Sequence, residues 1–187
     1  SIYQIETSDI ARGRVLHFFA NHELLALELM ALMLLRFPDA PEQFRRNLVF
    51  TMKEEQEHMQ LYIKQMNSFG VEFGDLSVNN FFWKSISSVS TLYEFTSHMA
   101  LTFEQANLDF SLYYKTIFAK IGDDETTNIL QKVYDDELQE NLETTNLIFQ
   151  FLNDFTSKNN IKFFVVLIPA KEQVDINIFN ELLKENN

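Results

Sequence analysis

The sequence predicts an all-α fold. It is an antiparallel four-helix bundle with a long crossover between its second and third helices, followed by a short strand–helix tail. Three observations carry that prediction. Apolar residues recur at helical spacing over four long stretches. Four Gly and three Pro in 187 residues are too few for a turn-rich β fold. The chain is 46% hydrophobic and holds 19 Phe, enough for one domain with a sizeable core.

Ser8 fits the N-cap of the first long helix, which runs to about Arg36. Val15, Phe18, Phe19, Leu25, Leu29, Leu32 and Leu35 supply its helical spacing. Phe37-Pro38-Asp39-Ala40-Pro41 breaks it, and Pro41 suits the first position of a second helix. That helix runs to about Phe69 and stops at Gly70. Gly70 to Asn80 reads as a loop, and Phe81 to Ser90 as a short helix carrying Trp83. A third long helix is expected over Thr91 to Ile121, closed by Gly122. Asp123 or Asp124 caps a fourth, running to about Ser157. These helices place the bundle domain at residues 1–158. Residues 159–187 form an appendage. Within it, Lys162 to Pro169 is a β-branched, apolar run that reads as a strand, and Asp175 to Lys184 reads as a short helix.

Composition excludes several classes. With no Cys there are no disulfides, thiolate metal sites or Cys nucleophiles. A formal net charge of −12 argues against broad binding to a phosphate backbone, so no nucleic acid partner is expected. The richest apolar stretch, Leu24 to Leu35, contains Glu28 and is too short to span a bilayer, so no membrane association is expected. With no basic-then-apolar signal pattern, the expected location is the cytoplasm.

The chemistry is carried by Glu55 and His58. A Glu and a His three apart lie on one helix face, one turn apart, the spacing with which helical bundles ligate a pair of iron or manganese ions. Folding each helix pair back on its loop adds partners. Glu23 lies 16 residues before Asp39, and Glu55 lies 16 after it. Glu104 lies 18 before Gly122, and Glu137 lies 15 after it. Each half thus offers one lone Glu and one paired acid: Glu55 with His58, and Glu137 with Glu140. Carboxylates at one level inside a bundle repel and carry desolvation costs unless a cation sits among them. Glu28 rivals Glu23 but lies about 140° around the helix. Glu54, Glu57 and Glu125 read as solvated faces. His22 reads as a neighbour of the site or a surface residue, and His17 and His98 as partly buried histidines. Asp136 is placed to hydrogen-bond His58. Tyr62 and Tyr134 read as core tyrosines near the site, and Arg45 and Arg46 as surface.

At these residues the chain resembles a bacterial ferritin-like family of unknown function, similar in fold to ferritin, rubrerythrin and the tRNA-modifying di-iron hydroxylases. The resembling stretches begin with His22-Glu23-Leu24-Leu25-Ala26-Leu27-Glu28-Leu29-Met30-Ala31 and Arg36-Phe37-Pro38-Asp39-Ala40-Pro41. They continue through Glu54-Glu55-Gln56-Glu57-His58-Met59-Gln60-Leu61-Tyr62, Gly70-Val71-Glu72-Phe73-Gly74-Asp75, Phe82-Trp83 and Leu101-Thr102-Phe103-Glu104-Gln105-Ala106-Asn107-Leu108-Asp109-Phe110. They cover about residues 10–137. The resemblance implies Glu23, Glu55, His58, Glu104 and Glu137 as ligands of two iron ions, or of iron and manganese.

The family pattern in the fourth helix is Asp-Glu-x-x-His, whereas this chain reads Asp136-Glu137-Leu138-Gln139-Glu140. Two alternatives stay open there. Glu140 ligates a hard cation as a sixth ligand, or the second metal position is weakened or lost. Residues 159–187 look unrelated to that family. The run Asn159 to Gln173 is faintly similar to a strand–loop unit of SGNH-type acyl-transferases or esterases, but brings no nucleophile motif. It is expected either to pair with a second copy in a homodimer, to pack on the bundle, or to mark a fusion or truncation of an ancestral gene.

The expected function is a di-metal oxidoreductase that activates dioxygen or peroxide on an unknown small-molecule substrate. The alternative is a non-catalytic or degenerate metal-binding bundle with a storage, sensing or interaction role.

Overall fold

A computed structural model describes residues 2–99 and 103–162, and the side chains of all of these except 2, 3, 140, 143–152, 154 and 155. All regular structure among the described residues is helical. The helices are α1 (Ile2–Thr7), α2 (Asp9–Arg36), α3 (Glu42–Ser68), α4 (Phe81–Ile86), α5 (Leu92–His98), α6 (Glu104–Lys120) and α7 (Asp124–Lys158). The strand expected over Lys162 to Pro169 and the helix over Asp175 to Lys184 lie outside the described residues, apart from Lys162, which is in no regular element.

The ends of the long helices follow side-chain chemistry. Ser8 caps α2, its hydroxyl accepting from the Ala11 amide at 3.3 Å. At the far end, the Arg45 guanidinium donates to the Leu34 and Phe37 carbonyls at 2.9 and 3.2 Å, satisfying acceptors that a helix C-terminus leaves open. Arg45 thus closes the α2–α3 turn rather than simply facing solvent. Pro41 is the N-cap of α3 and not its first helical residue. Gly70 and Gly122 adopt φ of +74° and +75° just beyond α3 and α6, conformations that residues with a Cβ rarely reach. Asp123 caps α7 through the Thr126 amide at 3.0 Å.

α1 was not anticipated. Six residues carry too little periodicity to register, and α1 is held by tertiary contacts: Ile5 is buried, and the Arg12 guanidinium donates to the Ile5 and Glu6 carbonyls. The helix expected over Thr91 to Ile121 starts at its Thr91 cap as α5 and ends as α6, and residues 100–102 between them lie outside the described residues. Thr91 and Glu94 form a reciprocal capping box that starts α5.

Side chains from α1, α2, α3, α6 and α7 meet in one apolar cluster, which includes Leu16, Phe19, Tyr62, Met66, Phe118 and Val133. A second cluster joins Leu25, Leu29, Met30 and Met33 of α2 to Ile86, Phe95 and Phe103. Gly13 of α2 faces Val71, just past α3, so closely that a Cβ there would sit 2.5 Å from the Val71 Cγ2. α2 is long and apolar enough to cross a membrane by length and composition, although 56% of its most apolar window is buried inside the protein. Its apolar face is therefore spent largely on packing. The chain divides into two compact units, Ser1–Asn146 and Leu147–Asn187, with the division inside α7. In the second unit the described residues end α7, where Asn160 takes φ +53° and the Ile161 amide donates to the Thr156 carbonyl at 2.8 Å.

Candidate metal centre

Between the two apolar clusters, α2 carries Glu23, fully buried. α3 presents one buried stripe that includes Glu55, His58 and Tyr62, at offsets of three and seven residues. The buried stripe of α7 runs through Thr126, Leu130, Val133 and Glu137. These helices bring Glu23, Glu55, His58 and Glu137 together, with one potential ligand atom from each lying within 4.8 Å of all the others. All four residues are at most 3% exposed.

His58 is oriented from both sides. Its Nε2 faces Asp136 Oδ2 at 3.0 Å, the bond expected from the sequence. Its Nδ1 lies 3.2 Å from Glu137 Oε1 and 3.7 Å from Glu55 Oε2. A carboxylate that accepts from Nε2–H leaves the Nδ1 lone pair aimed into the acidic group. Asp136 is in turn bound by Lys132 at the surface. The Asn107 amide donates to Glu23 Oε1 at 3.4 Å.

The electrostatics are unfavourable for bare carboxylates. Burial first, then the charges of Glu55 and Glu137, push the Glu23 carboxyl well above its ordinary range. Burial and Glu137 likewise raise Glu55. Burial opposes charge on His58, but Glu137 and Glu55 outweigh it and push its pKa up to about 10. Glu23 Oε2, both oxygens of Glu55, both of Glu137 and His58 Nδ1 are buried without a hydrogen-bond partner. Leaving such groups uncompensated costs several kcal/mol in roughly dielectric terms. One cation at their centre would satisfy them together. Three carboxylates and one imidazole suit iron, manganese or zinc.

Not every expected residue converges. Glu104 is buried at the start of α6 but stands outside the group of four. The backbone of Glu140 lies in α7, and its side chain is outside the described residues. Glu28 is exposed, which settles its rivalry with Glu23. Glu57 and Glu125 are exposed and Glu54 is half-buried. His22 is not at the surface. It stacks on Phe103 at 3.8 Å, and burial lowers its pKa to about 3. His17 is buried, accepts from the Gly74 amide at 3.2 Å and stacks on Phe73, whereas His98 is exposed. Tyr62 is fully buried against Phe19, while Tyr134 is half-buried under Lys115.

Asn107 and Ser111 were missed. Both are 1% exposed and share one stripe with Glu104, at offsets of three and seven residues. That offset was legible once Glu104 had been singled out.

The fold and site define an all-helical protein with a buried carboxylate–imidazole group able to hold a metal ion. The chain belongs to the family described as protein of unknown function (DUF455), whose model matches residues 4–181. That span takes in most of residues 159–187 and corrects the reading of the tail as foreign to the family. Its β-branched run belongs to the family's own pattern. No curated protein and no solved structure matches the chain.

Proposed function

We propose that this chain is a di-metal carboxylate protein of the ferritin-like class, an oxidoreductase that activates dioxygen or peroxide on a small-molecule substrate. In this reading α2, α3, the α5–α6 stretch and α7 form an antiparallel four-helix bundle. Glu104 and Glu140 complete a second cation position beside the four convergent side chains. The observation that carries it is the buried group itself, with six potential ligand atoms lacking partners on Glu23, Glu55, His58 and Glu137.

Two bound ferrous ions would supply two one-electron equivalents for reducing dioxygen or peroxide. The chain's own residues do the rest. Asp136 holds the Nε2 proton of His58 and fixes its tautomer. Asn107 restrains Glu23. The flanking apolar clusters keep water from the carboxylates and strengthen their attraction for a cation.

A second reading has its own support. The four convergent side chains of Glu23, Glu55, His58 and Glu137 are by themselves enough ligands for one ion. That favours a single-ion, non-catalytic protein with a storage, sensing or interaction role. The two are separated by metal content after expression without chelator, together with anomalous scattering at the iron and manganese edges. Two equivalents, with peaks beside Glu55 and His58, support the di-metal enzyme. One equivalent selects the second reading, and no metal at Glu55 and His58 overturns both.

A further inference from the structure

The connection from α3 to α4 contains no helix between Gly70 and Asn80, yet one side of α2 holds it at three levels. Gly13, His17 and Asn21 are spaced by four residues and therefore stack on one helix face. All three are buried. Gly13 lies against Val71. The His17 ring stacks on Phe73 with centroids 4.9 Å apart, and its Nε2 accepts from the Gly74 amide at 3.2 Å. The Asn21 side chain makes two bonds to the backbone of Asn79, donating to its carbonyl at 3.2 Å and accepting from its N–H at 3.0 Å. These contacts give the connection partners that a helix or a strand would supply from its own backbone.

The three levels differ in chemistry. Gly13, Val71, Asn21 and Asn79 carry no titratable side chain, so the two outer levels do not respond to pH. His17 does. An imidazole nitrogen accepts a hydrogen bond only while it carries no proton, so the bond from Gly74 requires a neutral ring with its proton on Nδ1. A proton on Nε2 turns that acceptor into a donor, and two N–H groups then face each other. Gly74 is exposed, so water can take over its amide once it leaves His17. Burial disfavours the charged ring, and the Asp75 carboxylate beside it favours the charge. Asp75 is already turned to the Glu72 amide, which donates to it at 2.9 Å. On α2 itself the charged group nearest in sequence, Arg14, is exposed.

We propose that His17 is an acid-sensitive latch for the α3–α4 connection. The neutral ring holds Gly74 against α2, and protonation releases the stretch around Gly74 while Asn21 keeps Asn79 in place. The latch is independent of the metal-binding reading, since His17 lies six residues before Glu23 and is none of the candidate ligands.

The test is amide hydrogen exchange at Gly74 and Asn79 in the full chain, from about pH 7.5 down to about 5, corrected for the intrinsic pH dependence of exchange. In the unaltered protein, protection at Gly74 is expected to fall about tenfold on acidification, the size of one hydrogen bond, while protection at Asn79 holds. Constant protection at Gly74 overturns the latch. So does a parallel loss at Asn79, which would mean that acid loosens the whole connection.

Two variants separate the acceptor from the stacking. His17→Phe keeps a ring against Phe73 but offers no acceptor, so Gly74 should exchange fast at every pH. His17→Gln offers a side-chain oxygen that does not titrate, so its Gly74 protection should not change with pH. A pH response at Gly74 that survives in His17→Gln assigns the response to another group and overturns the proposal. Protection in His17→Phe equal to that of the unaltered protein at neutral pH also overturns it.

Discussion

His58 has one nitrogen on Asp136 and the other facing Glu55 and Glu137. Losing the Asp136 charge frees the imidazole to rotate or change tautomer. Asp136→Asn is therefore expected to weaken metal binding about 10–100-fold. The side chain is 38% exposed, so stability should scarcely change. Competition with a chelator measures the first effect, and unaltered affinity would show that Asp136 plays no orienting part. The same residues give the metal-free protein a pH dependence. His58 binds its proton more tightly folded than unfolded, so its contribution to stability is complete below about 6.5 and is lost as pH rises towards about 10. The raised carboxyls of Glu23 and Glu55 act in the same direction. They favour the folded state below the ordinary carboxyl range, and that support is lost as pH rises through their elevated values. Thermal melts of chelated protein should show Tm falling between pH 6.5 and 10, whereas a flat profile would contradict this electrostatic account. At this scale the sequence was informative where geometry is local. The i, i+3 spacing of Glu55 and His58 and the hairpin symmetry led to Glu23 and Glu137. It could not show Tyr62 and Ser111 as partners, because their proximity arises only when α3 meets α6.

Among the elements, α2 is constrained most closely at Gly13. A methyl group there would lie 2.5 Å from Val71 Cγ2 and 2.8 Å from its Cβ. Gly13→Ala is expected to destabilise the protein by about 1–3 kcal/mol through overpacking, despite the better helix propensity of Ala. Val71→Ala on the same background should recover part of that loss in denaturant melts. If Gly13→Ala proves neutral, the approach of α2 to the segment after α3 is looser than described. The capping box makes a smaller prediction. Thr91→Ala should cost about 1 kcal/mol, read as a lower unfolding midpoint. The long helices were legible because apolar periodicity over more than 20 residues and caps such as Ser8 agree. α1 was not, since its short run gains its stability from Arg12 and buried Ile5.

For the whole molecule, the net charge of −12 and the buried acids point the same way: folding concentrates negative charge that a cation relieves. A metal that binds only the folded chain adds about 2.7 kcal/mol at a free concentration 100 times its Kd. Calorimetry should record a Tm several degrees higher with ferrous iron or manganese than with chelator. A Tm indifferent to both metals would deny that the folded protein holds either. The overall helical class was visible in composition and periodicity, whereas the tail was misread because a single apolar run says nothing about which family pattern it belongs to. The four convergent side chains lie on three helices and are separated by as many as 114 residues, from Glu23 to Glu137. All four are buried, so exchange of an ion held there is expected to need those helices to part. Its exchange with solution then becomes a stopwatch for that opening. The dissociation rate should follow hydrogen exchange in the middle of α3 and stay independent of how much chelator waits outside.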